Sequence, residues 1–277
     1  MSIKGKGAGV RVFYSELCLI GCSVESNVDR LIAHGAENIE LMLDGEGWND
    51  FYLSMNSLTS MLKRKNVDYS VHVPVWDTNL TSENAHLRNA VLESYKATIE
   101  FASQIKARHV VLHTGWCADP HFSKEVGRRR ARASLETLVD FNKAYGQLLL
   151  VENIGSNAAS LFTERQFIDF LDGFPAEVGY VVDIGHAHIN EWRIELLLRE
   201  LGDKLCALHI HDNDGLKDNH APIGEGNIDW EMVLGAAIDT RRDLSLILEY
   251  NIGTDLDKLT QGKSYLEKRL LKENLKD

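Results

Sequence analysis

Short apolar runs alternate with longer stretches of helical periodicity along nearly the whole chain. Several runs, such as Leu148 to Val151, are almost continuously apolar, which is typical of strands buried on both faces in a parallel sheet. The runs predict eight strands, at residues 9–14, 38–43, 69–73, 109–113, 147–152, 179–183, 205–209 and 244–249. The periodic stretches predict helices at residues 28–34, 52–64, 83–105, 124–145, 163–171, 191–201, 230–237 and 255–271.

Eight strands that alternate with eight helices favour a closed barrel over an open sheet. An open doubly wound sheet usually has fewer strands, whereas a (β/α)8 TIM barrel needs eight units and typically about 250 residues. The chain has 277 residues, 44% of them hydrophobic, with no visible linker and no low-complexity segment. We therefore predict an α/β fold with a single TIM barrel domain over residues 1–277.

Charge and composition narrow the classes of partner. A formal net charge of -11 works against a general electrostatic grip on a polyanion, so we expect no nucleic-acid partner. The one dense basic cluster, Arg128, Arg129, Arg130 and Arg132, lies in a polar helical stretch and is predicted to be a solvated helix face. Four cysteines are too few for a disulfide scaffold in a chain of this length, so we predict buried or inert thiols.

The chain also lacks the usual membrane signals. No apolar stretch approaches the roughly 18 residues that a membrane span needs. Residues 1–9 are polar and contain no apolar core of signal-peptide length. We expect a cytoplasmic protein without a membrane partner. Assembly into a homo-oligomer is compatible with the sequence, but no pattern sets the number of subunits.

Nine side chains of metal-ligand type stand at or after the ends of the predicted strands. In a closed parallel barrel these ends converge on one rim, so residues far apart in sequence would meet around a common centre. The nine are His72, His113, Glu152, Asp183, His186, His209, Asp218, His220 and Glu249.

Four of them are the strongest candidate ligands: Glu152, Asp183, His209 and Glu249. Each directly follows apolar residues of a predicted strand, where an unpaired charge would be strongly unfavourable. One interpretation pairs each acid with a nearby Lys or Arg, but four such residues on consecutive strands favour a shared cation. Three carboxylates and one imidazole suit Mn²⁺, Zn²⁺, Co²⁺ or Mg²⁺.

The other five residues are additional candidate ligands: His72, His113, His186, Asp218 and His220. Taken singly, His72 and His113 fit a hydrogen-bonded core histidine equally well. His211 could replace His209, because residues i and i+2 share a face of a strand. Trp76, Trp116 and Trp230 either line a sugar-binding pocket or pack at the barrel rim.

The segments 209–215, HIHDNDG, and 218–230, DNHAPIGEGNIDW, together with the ordered strand-end ligands resemble the xylose isomerase-like TIM barrel superfamily. That superfamily joins sugar and sugar-phosphate isomerases and epimerases to the endonuclease IV type of abasic-site nuclease. Its D-tagatose 3-epimerase-like branch implies one divalent metal on Glu152, Asp183, His209 and Glu249, with the two glutamates exchanging protons on opposite faces of a substrate. Its nuclease branch implies a three-metal cluster on all nine residues that attacks a phosphodiester.

Two departures from the nuclease pattern favour the first branch. The loop at residues 43–50 is acidic and has no Arg or Lys, where the nuclease pattern has residues that grip DNA. The segment after His72 also lacks the tyrosine that the nuclease pattern places three residues later, although Trp76 keeps an aromatic ring one position farther on.

We therefore predict a divalent-metal-dependent isomerase or epimerase that acts on a sugar, a sugar phosphate or a related polyol carbonyl compound. The reaction would pass through an enediolate, with Glu152 and Glu249 as the acid/base pair. His186 and Glu225 would position hydroxyl groups, although Glu225 is equally suited to fixing the backbone of its glycine-rich loop. The alternatives are a three-metal phosphodiesterase or abasic-site nuclease and, third, a non-catalytic carbohydrate-binding or regulatory barrel.

Overall fold

Eight strands form a closed parallel barrel in which neighbours along the chain are neighbours in space and the last strand pairs with the first. The computed structural model describes residues 11–156 and 158–273. The strands are β1 Arg11–Ser15, β2 Asn38–Met42, β3 Asp68–His72, β4 Val110–His113, β5 Leu149–Glu152, β6 Val178–Asp183, β7 Leu205–Ile210 and β8 Ser245–Leu248. The predicted TIM barrel is confirmed. Residues 9 and 10 of the first predicted strand, and the polar amino terminus, lie outside the described residues.

Helices cover the outside of the barrel between the strands. They are α1 Val24–Ala33, α2 Phe51–Leu62, α3 Ala85–Ile105, α4 Lys124–Asn142, α5 Glu164–Ile168, α6 Ile184–Ile189, α7 Ile194–Leu201, α8 Trp230–Asp239 and α9 Leu256–Glu273. Helix α1 begins four residues before its predicted start, because the Ser23 hydroxyl accepts a hydrogen bond from the Ser26 N–H and caps it there.

One helix, α6, was not predicted from the sequence; it follows β6 without a loop. Its N-cap is Asp183, whose side chain accepts a hydrogen bond from the backbone N–H of His186. Six residues give less than two helical turns, which is too short for a periodic pattern to stand out. The helix nevertheless matters for the site, because it carries His186 and begins on Asp183.

Apolar residues fill two separate layers, one between the sheet and the helices and one inside the barrel. The inner layer contains Phe13, Val111, Leu150, Val181, Ala207 and Ile247. Successive side chains of a strand point to opposite faces, so the residue two positions later also points inward, one step closer to the rim. Those next positions include His113, Glu152, Asp183, His209 and Glu249. The alternation that builds the inner core therefore also delivers the candidate ligands to one end of the barrel.

Three arginines of the basic cluster on α4 are half-buried. Arg128 donates a hydrogen bond to the Leu161 carbonyl at 2.7 Å, Arg130 pairs with Glu83 at 2.7 Å, and Arg132 donates to the Phe170 carbonyl at 3.1 Å. The prediction of a solvated helix face is wrong for these three, because neighbouring loops pack against α4, while Arg129 is exposed.

The four cysteines are free; Cys18 is buried and Cys22 is exposed. Within residues 11–156 and 158–273, no helix has both the length and the apolar composition that crossing a membrane requires.

Candidate metal centre

The structure gathers all nine predicted ligand residues at the carboxyl ends of the strands. His72, His113, Glu152 and Asp183 are the last residues of their strands, and His209 is the last but one of β7. Glu249 directly follows β8, His186 lies in α6, and the remaining pair lies in the loop between β7 and α8. The predicted convergence at one rim is therefore observed.

The four strongest candidate ligands, Glu152, Asp183, His209 and Glu249, form the first group of the site. All four are buried and offer ligand atoms within 4.8 Å of one another. His209 lies at their centre. Its Nδ1 atom is 3.4 Å from Glu152 Oε1, 3.3 Å from Glu249 Oε2 and 3.9 Å from Asp183 Oδ2. One imidazole nitrogen therefore faces three carboxylates at the ends of three strands, and these four groups could hold one cation.

A second group shares Glu152 with the first. The Oε2 atom of Glu152 lies 3.1 Å from His72 Nε2 and 3.0 Å from His113 Nε2, while Oε1 faces His209. The two oxygens of one carboxylate thus face two adjacent sets of candidate ligands.

A third group combines α6 with the loop between β7 and α8. Asp218 Oδ2 lies 2.9 Å from His186 Nε2 and 3.3 Å from His220 Nε2. His186 also connects this group to the first, because its Nδ1 atom lies 3.6 Å from Glu152 Oε1 and 3.5 Å from Asp183 Oδ1. Three ligand groups therefore lie side by side.

His211 adds to the site without replacing His209, because both side chains point into it. His211 Nε2 lies 3.0 Å from Asp183 Oδ2. The His211 ring stacks on the His220 ring with centroids 3.8 Å apart and planes at 15°. Together with Glu249 these two histidines form a further cluster of potential ligands.

The charges of these groups stabilise one another. Burial lowers the pKa of His72, but its hydrogen bond to Glu152 and the charges of Glu152, Glu40 and Glu249 raise it to about 9. Burial likewise opposes the charge of His220, yet Asp218 and Glu249 raise its pKa to about 9. In the opposite sense, burial raises the pKa of Glu152, but His209 and His113 hold it well below its usual value.

The histidine orientations test whether the site fits a cation. His72 Nδ1 lies 2.8 Å from the Val73 carbonyl, and His220 Nδ1 lies 3.0 Å from the Glu249 carbonyl. A carbonyl oxygen only accepts hydrogen bonds, so each Nδ1 atom carries a hydrogen. If the ring is neutral, its Nε2 atom then carries a lone pair that points at a carboxylate. Two facing acceptors repel unless a proton or a cation lies between them. Histidine ligands commonly donate their other ring N–H to a carbonyl in this way, so the residues fit a metal.

Buried nitrogen atoms without hydrogen bonds point the same way. Among the described residues, His186 Nδ1, His209 Nδ1 and His211 Nδ1 are buried and have no hydrogen-bond partner. Leaving such atoms unpaired is costly, and all three belong to the ligand groups. Coordination would satisfy the two that face carboxylates of the first group, those of His186 and His209.

Two buried glutamates near the site were not predicted from the sequence. Glu40 lies in the middle of β2, and its Oε1 atom is 3.0 Å from His209 Nε2. Glu16 follows β1 and accepts hydrogen bonds from the Asn27 amide, the Trp48 indole and the Met42 N–H. The signal for Glu40 was a charged residue inside an apolar run, which a search confined to strand ends passes over.

The three tryptophans and Glu225, which were predicted to lie near the site, differ in exposure and contacts. Trp76 and Trp116 are 54% and 42% exposed on the loops after β3 and β4, where a substrate could reach them. Trp230 is buried, and its indole N–H donates to Asp212 at 2.8 Å, so it packs at the rim. Glu225 pairs with Lys258 of α9 at 2.7 Å, which supports the role in fixing its loop.

The sequence of this chain is similar to a known protein family and to several individual proteins. The family model described as xylose isomerase-like TIM barrel matches residues 28–269. An uncharacterised protein of Methanocaldococcus jannaschii is 31% identical over 164 residues, 58% of this chain and 62% of the relative. A probable endonuclease 4 of Mycobacterium leprae is 27% identical over 79% of this chain and 88% of its own length. Fructoselysine 3-epimerase of Shigella flexneri is 24% identical over 62% and 63% of the two chains.

Solved structures share the fold over almost the full length. A D-tagatose 3-epimerase-like protein superimposes with a TM-score of 0.83 at 24% identity, covering 96% of this chain and 99% of its own. The IOLI protein with a bound zinc atom gives a TM-score of 0.78 at 17% identity, over 95% and 98% of the chains. Because the family model matches most of this chain, the chain belongs to the xylose isomerase-like TIM barrel family.

Proposed function

We propose that this protein is a divalent-metal-dependent isomerase or epimerase of a small carbohydrate that carries a carbonyl group. The observation that carries the proposal is the position of two glutamates, Glu152 from β5 and Glu249 after β8, beside one central histidine, His209. Such a pair can exchange a proton with a substrate held between them. The similarity to fructoselysine 3-epimerase and to a D-tagatose 3-epimerase-like protein supports this reaction class.

The ligand chemistry narrows the choice of cation. Glu152, Asp183, His209 and Glu249 would hold the catalytic metal. Carboxylate oxygens suit Mg²⁺ and Mn²⁺, whereas imidazole suits Zn²⁺ and other late transition metals, so the histidine-rich surroundings favour Zn²⁺ or Co²⁺. When bound, the cation supplies positive charge that stabilises the enediolate formed on removal of a proton next to a carbonyl.

The protein's own residues then have distinct tasks. Glu152 removes the carbon-bound proton, and Glu249 returns a proton to the opposite face of the planar intermediate. His186 would orient a substrate hydroxyl from α6, where its Nε2 lies beside Asp218. Trp76 and Trp116 offer exposed ring faces to the apolar side of a sugar.

The test is solvent deuterium exchange into a panel of ketoses and ketose phosphates. The wild type should incorporate deuterium at the carbon next to the carbonyl, and Glu152→Gln and Glu249→Gln should reduce incorporation to background. Glu136→Gln is the matched control, since that exposed side chain pairs with Arg132 on α4 and should leave exchange unchanged. Normal exchange in both site variants would remove the proposed acid/base pair.

A second candidate is a metal-dependent phosphodiesterase. The specific observation is that Glu152 is shared by two ligand groups, with His186, Asp218 and His220 forming a third beside them. Such an arrangement suits several cations acting on one phosphodiester. The relative named as a probable endonuclease 4 supports it, whereas the acidic loop at residues 43–50 weighs against duplex DNA. Hydrolysis of a phosphodiester, with no deuterium incorporation into any sugar, would favour this candidate.

A further inference from the structure

Two strands interrupt the inner apolar layer of the barrel with polar side chains. Six strands contribute apolar residues to that layer, whereas β2 contributes Glu40 and β3 contributes Ser70. Both side chains are fully buried, and the Ser70 hydroxyl donates a hydrogen bond to Glu40 Oε2 at 2.9 Å. A buried carboxylate in an apolar layer is expensive, so Glu40 needs a specific partner.

His209 is that partner. Glu40 Oε1 lies 3.0 Å from His209 Nε2, both side chains are 0% exposed, and neither atom has a hydrogen-bond partner elsewhere in the described part of the chain. His109 approaches the other oxygen, with its Nε2 atom 3.7 Å from Glu40 Oε2.

The Ser70 hydroxyl already donates to Glu40, which therefore serves as an acceptor, so the His209 nitrogen that faces the other carboxylate oxygen carries a hydrogen. A neutral imidazole holds one hydrogen, and placing it on Nε2 leaves the lone pair on Nδ1. That Nδ1 atom faces Glu152, Asp183 and Glu249 in the candidate metal group.

We propose that Glu40 is a positioning residue that fixes the hydrogen of His209 on Nε2 and so presents Nδ1 as the metal-binding atom. The inference rests on the proposed metal site and adds a residue that does not touch the metal. Ser70 restrains Glu40 by its hydrogen bond, so the arrangement runs from β3 through β2 to β7 across the inside of the barrel.

The experiment measures metal affinity by competition with a chromophoric chelator, using Zn²⁺ and Co²⁺ and the full chain. Glu40→Leu removes the acceptor and should weaken binding by about 10- to 100-fold, the usual effect of losing a partner of a metal-binding histidine. Glu40→Gln keeps an acceptor oxygen, so we expect a smaller loss. Ser70→Ala should give a weaker effect of the same sign.

Glu16→Gln is the matched control, because Glu16 is also a buried glutamate. Its hydrogen bonds come from Asn27, Trp48 and Met42, none of which is a candidate metal ligand. It should bind Zn²⁺ as the wild type does. Thermal unfolding followed by circular dichroism checks that each variant folds. If Glu40→Leu does not fold, Glu40→Gln and Ser70→Ala carry the comparison.

A spectroscopic readout separates positioning from general support of the fold. In the Zn²⁺-loaded wild type, ¹⁵N-detected histidine spectra should show His209 with a hydrogen on Nε2, and Glu40→Leu should weaken or lose that signal. Wild-type affinity in both Glu40 variants would overturn the role of Glu40 alone. If the wild type binds no metal that Asp183→Asn loses, both the metal site and this inference are overturned.

Discussion

The backbone N–H of His186 donates a hydrogen bond to Asp183 Oδ1 at 2.6 Å, so one candidate metal ligand is the N-cap of the helix that carries another. Asp183 also accepts a hydrogen bond from His211, which directly follows the next strand, β7. The same carboxylate therefore sets the start of α6 and the position of two imidazoles. Local helix stability and site geometry are coupled at this residue.

This coupling predicts different outcomes for two substitutions of Asp183. Asn caps helices about as well as Asp, whereas replacing a cap by Ala costs about 1 kcal/mol. In the presence of a chelator, Asp183→Ala should therefore unfold at a lower urea concentration than Asp183→Asn. Both should lose the metal bound by the first group. Equal stability of the two variants would contradict the capping role.

Metal stoichiometry tests how many of the three groups hold a cation. The isomerase proposal expects one tightly bound metal per chain, retained in Asp218→Asn and lost in Asp183→Asn. Elemental analysis of protein dialysed against metal-free buffer measures both. Three metals in the wild type, with one fewer in Asp218→Asn, would instead support the phosphodiesterase.

The metal-free protein should become less stable as the pH rises. His72 and His220 have pKa values raised from 6.5 to about 9 in the folded chain, because carboxylates face them. A raised folded-state pKa contributes stability that is fully present below pH 6.5 and is lost as the pH rises through about 9. Melting temperatures in a chelator should therefore fall between pH 7 and pH 10. Saturating Zn²⁺ should reduce this fall, since the cation replaces the protons.

Metal binding should also release protons near neutral pH. Histidine ligands bind metals through a deprotonated nitrogen, and at pH 7 both His72 and His220 are charged in the metal-free chain. Calorimetric titrations with Zn²⁺ in two buffers of different ionisation enthalpy give the number of protons released. A cation held by the first group alone should release fewer protons than one that also engages these two histidines, and a release of zero would contradict the charged state of the site.

Gly185 in α6 should tolerate no side chain. A Cβ atom there would overlap the His211 ring, which is fully buried against Asp183. Gly185→Ala should therefore destabilise the protein by about 1–3 kcal/mol, as overpacking usually does. Gly235→Ala is the control, since a Cβ in that part of α8 meets nothing within 4 Å and should stabilise the helix by up to about 1 kcal/mol. Urea unfolding of both variants makes the comparison.

The sequence predicted most of the fold because the barrel repeats one strong pattern. Fully buried strands such as β5 are continuous apolar runs, and the candidate ligands follow them directly. The misses have local causes. Helix α6 is too short to show a period, and Glu40 lies within a strand, away from the positions where ligands were expected.

The order of strands and helices, and the acids and imidazoles that end the strands, follow from the chain alone because burial on both faces leaves a pattern that can be read residue by residue. The tertiary structure decided which of those groups meet. Glu152 serves two sets of ligands, and Glu40 faces His209, only because closure of the barrel brings together residues far apart in the sequence. The orientation of each imidazole depends on those distant neighbours, and no local pattern encodes it.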